Sequence, residues 1–160
     1  GKSGCVVTAK GSRIHNQTHA QLLLDSFQRL LGRPLITVEH GLSLTEQLFV
    51  ADFALLSHNT DADPLFNYAN RQALALFELN EEQLVQMPSR LSAEPVNQEL
   101  RQSLLEQVRN KGYISDYSGV RISRTGKRFM IKNAVVWNLL DESGGYQGQA
   151  ACFSQWTSVE

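Results

Sequence analysis

Two cysteines in 160 residues, Cys5 and Cys152, cannot build a disulfide scaffold. They form no CxxC pair and no metal-ligand spacing, so a free-thiol, cytosol-like compartment is the expectation. Neither sign of charge is in excess: 15 Lys and Arg face 16 Asp and Glu, and the formal net charge is −1. That removes any general electrostatic case for nucleic acid or an anionic membrane as partner. No apolar run approaches the roughly 18–20 residues of a membrane span. The stretch GKSGCVVTAKGSR lacks the long apolar region of a signal peptide, and residues 1–17 read as a polar, Gly-rich arm. No internal repeat and no low-complexity tract is present.

Catalytic signatures are missing as well. GKSG looks like a fragment of a phosphate loop, but GxxxxGK[ST] and its preceding strand are absent. No nucleophile sits in a recognisable elbow. Asp61 and Asp63 lie in the turn-rich TDADP and are most simply turn formers, since a calcium loop needs several more ligands. His15 and His19 are four apart, which suits a metal only on one ordered helix; with Thr18 as a helix cap, both are expected on the surface. The expectation is a protein that is not an enzyme and holds no metal.

What is present is enough apolar material, 42% of residues, for one domain with a real core. Thr18 can cap a helix to about Leu31, with Leu23, Phe27, Leu30 and Leu31 in one stripe and Gly32 and Pro34 ending it. Ser43-Leu44-Thr45-Glu46 has the form of a capping box and starts a second, short helix. These two make a helical extension over residues 18–52. From 53 to 157 the pattern changes: FALLSHN and LFNYA read as a strand pair, and Asn70 and Asn80 each cap a short helix. Pro95 opens a longer helix with Val96, Leu100, Leu104 and Val108 on one line. Strands follow at about 113–123, 127–140 and 146–156. The class is α+β: a five-stranded antiparallel sheet with a helical insert on one face.

The fourth strand, GKRFMIKNAVVWNLL from Gly126 to Leu140, has no polar face. Strict alternation puts Phe129, Ile131, Asn133, Val135 and Trp137 on one side and Met130, Lys132, Ala134, Val136 and Asn138 on the other, with Lys132 and Asn138 expected at the margins of its cover. A strand with one wet side would carry charges there, so both sides of this sheet are expected to be covered.

Three uncommon motifs lie in the C-terminal two-thirds: PSR-x-SAEP, Y-x-GVRIS-x-x-G and VWNL-x-D. They resemble the MEKHLA domain, a branch of the PAS-like sensor folds, over roughly Leu65 to Phe153. The resemblance implies a PAS-type fold with an N-terminal extension. Such domains occur in plant homeodomain-leucine-zipper regulators and as small free-standing proteins of bacteria, cyanobacteria and algae. Without a zipper region or homeodomain, this chain is similar to the free-standing kind; a plastid location is the alternative to the cytoplasm if the source is algal.

PAS-like folds hold ligands between the sheet and the insert. On that pattern Asn133, Ile131, Val135 and Trp137 point inward, joined by Gln149, Ala151 and Phe153 from the last strand. The residues form either a filled core or a ligand pocket, and Asn133 is the probe because a buried amide needs partners at both ends. Arg90 either fixes its loop, through Glu94 or a helix carbonyl, or binds an anionic ligand at the mouth. Tyr68, Tyr113, Tyr117 and Arg121 are cavity lining or sheet surface. Covalent flavin chemistry is disfavoured, because PSRLSAEP has no cysteine and Cys152 should face the other side. Haem is disfavoured because all four histidines precede the insert.

The cofactor therefore stays unknown. The expected role is a non-catalytic sensory or ligand-binding module in signalling, acting through protein–protein interaction. The alternative is a pure dimerisation or docking module with a filled core. In either case Leu23, Leu24, Phe27 and Leu31 of the N-terminal helix, with Val136 of the outer sheet face, are the expected interface of a homodimer.

Overall fold

The computed structural model describes residues 16–93 and 98–159. Most of the expected arm, with Cys5 and His15, lies outside them, as do Glu94, Pro95 and Val96. Helix α1 spans Gln17–Leu31. Its cap is Asn16 rather than Thr18: the Asn16 side chain accepts from the His19 N–H, and Thr18 lies within the first turn. Helix α2, Leu44–Phe49, starts at Ser43, whose side chain accepts from the Glu46 N–H. Strands β1, Ala54–His58, and β2, Phe66–Ala69, form a hairpin. The insert comprises α3, Arg71–Phe77, α4, Glu81–Leu84, a 3-10 turn at Ser89–Ser92, and α5, Gln98–Lys111. Asn80 and Gln83 form a reciprocal capping box.

The sheet has six strands, one more than expected. They run β2-β1-β5-β4-β3, with β3 Tyr113–Ile122, β4 Arg128–Leu140 and β5 Tyr146–Phe153. The sixth, β6, is Gln155–Val159 and pairs with the first half of β4, while β5 pairs with its second half. Every pairing is antiparallel. Gly148 (φ +125°) lets β5 pass β1 closely; a Cβ there would sit 2.1 Å from the His58 carbonyl oxygen.

Both faces of the sheet are covered, but the alternation along β4 is not continuous. Asn133 takes a left-handed backbone (φ 54°), and Asp116 does the same on the neighbouring β3 (φ 59°). Asn and Asp are the non-glycine residues that tolerate this conformation best. At the same level Ser154 separates β5 from β6. Residues three apart across this break therefore share a face: Ile131 with Ala134, Ile114 with Tyr117, and Phe153 with Trp156 all pack on the insert side. Beyond the break the parity is reversed. Val135, Trp137 and Leu139 face α1, whereas Ala134 and Val136 face the insert.

This corrects the strict two-face reading of β4. Phe129 and Ile131 point inward as expected, but Val135 and Trp137 point to the opposite side. Val136 packs on Leu104 and Val108 of α5, so it belongs to no outer-face interface. Asn133 faces solvent and donates to Gln155 Oε1 at 2.9 Å.

Helix α1 lies on the outer face of its own sheet. Leu23, Leu24 and Phe27 are buried with Leu55, Tyr68, Trp137 and Leu139, and Leu31 is half-buried beside them. Phe27 meets Trp137 edge-on, ring centroids 4.9 Å apart. Burial of each such side chain is worth about 1.5–3 kcal/mol. Ser26 Oγ accepts from the Leu140 N–H and donates to the Leu140 carbonyl, tying the helix to the end of β4.

Candidate functional site

A cavity of about 60 Å³ lies between the inner sheet face and the insert. Its apolar walls come from Leu56, Phe66, Phe77, Leu104, Ile131 and Phe153. Its polar lining includes His58, Ser89, Ser92, Arg101, Tyr117, Arg121 and Gln149.

One polar row crosses the sheet beneath it. His58 on β1 pairs with Gln149 on β5, and Gln149 pairs with Asn138 on β4. Asn138 donates to the Val108 carbonyl at 3.0 Å, and Gln149 donates to the Leu105 carbonyl at 3.0 Å and to Asn138 Oδ1 at 3.2 Å. These amides bind carbonyls of the last turns of α5; Asn138 also reaches the Arg109 carbonyl at 3.3 Å, one of the last four of the helix, which lack i+4 partners within it.

The row ends in two unused acceptors. Gln149 is 2% exposed, and its Oε1 has no hydrogen-bond partner. His58 is 8% exposed; its Nδ1 lies 2.9 Å from the Asn59 carbonyl, which fixes the proton there, and Nε2 is without a partner. Burial, more than any other influence, pushes the His58 pKa below 6.5, and Arg101 pushes the same way.

Facing the row is an unbalanced pair of cations. Arg101 on α5 is 8% exposed, and its Nη2 donates to Ser89 Oγ at 2.6 Å. Arg121 on β3 donates to the Tyr117 hydroxyl at 3.2 Å. Among the described residues neither forms an ion pair; Asp63 is held by Arg90 at 3.1 Å instead. Burial first, and Arg121 second, lower the Arg101 pKa to about 10.

The expected ligand-binding residues therefore divide. Ile131, Gln149 and Phe153 line the cavity. Val135, Trp137 and Tyr68 lie on the other side of the sheet, under α1. Asn133 is exposed at the strand break, and Arg90 is exposed and bonded to Asp63. Two cavity residues escaped the sequence reading. His58 alternates inward with Ala54 and Leu56, although it precedes the insert. Arg101 belongs to the inward stripe Arg101, Leu104 and Val108, spaced i, i+3 and i+7; Leu100, placed on that line by its i,i+4 spacing, is 71% exposed.

His19 is not at the surface either. It is buried against the outer sheet face, with Nε2 3.0 Å from Ser57 Oγ, and Ser57 donates to Asn67 Oδ1 at 2.6 Å. Adjacent residues of β1 thus serve both compartments: Ser57 meets α1 and His58 meets the cavity. Among the described residues no group of three or more His, Cys, Asp or Glu could hold a metal ion, and no helix is long and apolar enough to cross a membrane.

The backbone is similar to a PAS domain from Colwellia psychrerythraea, with a TM-score of 0.59 at 14% identity, covering 71% of this chain and 92% of that one. It is also similar to a light-oxygen-voltage domain from a study of a flavin analogue, with a TM-score of 0.58 at 15% identity, covering 75% and 87%. These likenesses show the α+β PAS-like fold. A flavin does not fit a cavity of about 60 Å³, since sites for such ligands run to roughly 300 Å³ or more. Cys152, the cysteine among the described residues, packs on the α1 side, where burial pushes its thiol up to about 12. In sequence the chain is 28% identical over 148 residues to the homeobox-leucine zipper protein HOX9 of Oryza sativa, indica and japonica alike, covering 89% of this chain but only 17% of that protein. The family model for the MEKHLA domain matches residues 17–158, taking in α1 and α2 as well as the sheet and insert, and the chain belongs to the MEKHLA domain family.

Proposed function

We propose that this domain is a non-catalytic sensory module that takes a small molecule between sheet and insert and reports it to a partner protein through α1. The observation that carries the reading is the pair of buried, unused acceptors, His58 Nε2 and Gln149 Oε1, beside two guanidinium groups in one cavity. Such groups are costly unless something completes them. A route outward exists in β1, where Ser57, next to His58, bonds His19 of α1. Because Leu23, Leu24 and Phe27 are buried against their own sheet, a homodimer through α1 requires the helix to lift and exchange between protomers.

A second reading is a docking or dimerisation module with no ligand. Its support is the small volume of the cavity, room for about two waters at roughly 30 Å³ each. Native mass spectrometry of the purified protein, paired with hydrogen exchange over residues 17–31, separates the two. A bound small molecule whose removal changes exchange in α1 is the expected result. Exchange in α1 that is identical with the cavity loaded and emptied would sink the sensory reading in favour of docking.

A further inference from the structure

The geometry points to a small carboxylate bearing a hydroxyl group, of the size class of glycolate, as the occupant of the cavity beneath α5. This rests on the reading of that cavity as a ligand site. Three observations converge on the chemistry. Arg101 is nine-tenths buried, and of its five N–H donors one is engaged, by Ser89. Arg121 lines the same space, and no carboxylate among the described residues pairs with either. An anion here would be attracted by both guanidinium groups, and a planar carboxylate matches the guanidinium fork.

The opposite end of the cavity asks for the reverse polarity. With the His58 proton on Nδ1 toward the Asn59 carbonyl, His58 Nε2 and Gln149 Oε1 both present lone pairs to the cavity; burial and the nearby Arg101 favour this neutral form. Two acceptors are satisfied by a donor such as a ligand hydroxyl. While His58 is neutral they repel a second carboxylate, which favours a monocarboxylate over a dicarboxylate. The apolar walls and a volume of about 60 Å³ limit the carbon skeleton to a few atoms. Ser89 and Ser92 can rotate their hydroxyls to serve the same anion; at present Ser92 donates to the Ser89 carbonyl at 2.7 Å.

Calorimetric titration with glycolate, acetate, glycolamide and inorganic phosphate tests the assignment on the whole chain. Glycolate should bind more tightly than acetate, which lacks the hydroxyl, and than glycolamide, which lacks the charge. Arg101→Met should weaken glycolate by roughly tenfold or more while the protein stays folded, and His58→Leu should erase the preference of glycolate over acetate. No heat with any of the four compounds overturns the assignment, as does equal binding of glycolamide, equal binding of phosphate, or full glycolate affinity in Arg101→Met. Glycolate bound with α1 exchange unmoved would keep the ligand and remove the helix as its reporter. A co-purified neutral compound that moves α1 would do the opposite.

Discussion

Asn133 donates from its side chain to Gln155 Oε1 at 2.9 Å, at the level where β4 transfers its pairing from β5 to β6. The bond is made in solvent, and the backbone beneath it is left-handed. The residue therefore works through its conformation more than through its amide. A β-branched residue in that region costs about 1–2 kcal/mol. Asn133→Val should lower stability by about that amount, and Asn133→Gly by much less, in urea titrations. Equal losses in the two variants would mean that the side-chain bond, not the backbone, is what matters.

How much of this was legible in the sequence depends on the range over which each signal acts. The caps at Ser43, Asn70 and Asn80 were readable because a cap is decided within four residues. That both sheet faces are covered followed from the lack of a run of charges on either face of β4. Which side chain faces which cover did not follow, because one left-handed residue at Asn133 reverses the parity of everything after it. An Asn in mid-strand was itself the available sign of a break, as was Asp116 on β3. The sixth strand was hidden for the same reason: Ser154 interrupts what alternation reads as one strand. Arg101 and His58 became visible only when α5 and β1 were brought to opposite sides of one cavity.

The docking of α1 should draw on a buried polar contact as well as on its apolar stripe and the Ser26–Leu140 bonds. His19 Nε2 and Ser57 Oγ are 3.0 Å apart, and the neighbouring contacts on this face are apolar. Removing one partner of a buried hydrogen bond costs about 1–3 kcal/mol. Ser57→Ala should therefore speed hydrogen exchange of residues 17–31 by roughly tenfold relative to the strands, since 1.4 kcal/mol is a factor of ten. Unchanged exchange in α1 would show that the apolar stripe and the Ser26–Leu140 bonds hold the helix without this contact.

The stability of the domain should fall on mild acidification through His58. Its folded pKa is depressed below 6.5 by burial, with Arg101 adding to the effect, while the Asn59 carbonyl and Gln149 oppose it. Other charged or titratable groups lining the cavity are Arg121 and Tyr117. The unfolded chain thus takes up a proton near pH 6.5 that the folded protein refuses, so the unfolded state binds more protons there. The neutral-His58 contribution is complete above about 6.5 and is lost as pH falls towards the folded value, at up to about 1.4 kcal/mol per pH unit. Urea midpoints at pH 7.5 and 5.5 should differ more in the wild type than in His58→Gln. A difference of the same size in both would assign the acid sensitivity to other groups.

Arg101 offers the sharpest separation between a structural and a binding role. A buried arginine that holds a fold together loses stability when it is replaced. Arg101 is different: its charge is buried, its pKa is lowered to about 10, and among the described residues it faces a second arginine and forms no ion pair. Replacing uncompensated buried charge with an apolar side chain of similar length relieves desolvation and repulsion together. Arg101→Met should therefore leave the ligand-free domain as stable as the wild type, or more stable by about 1 kcal/mol or more. The same variant should lose the stabilisation that a bound anion confers, because that increment depends on ligand concentration and affinity. Thermal melts of both proteins with and without glycolate measure the two effects at once. A large loss of stability in ligand-free Arg101→Met would make the Arg101–Ser89 bond a structural tie and remove the reason for charge at this position.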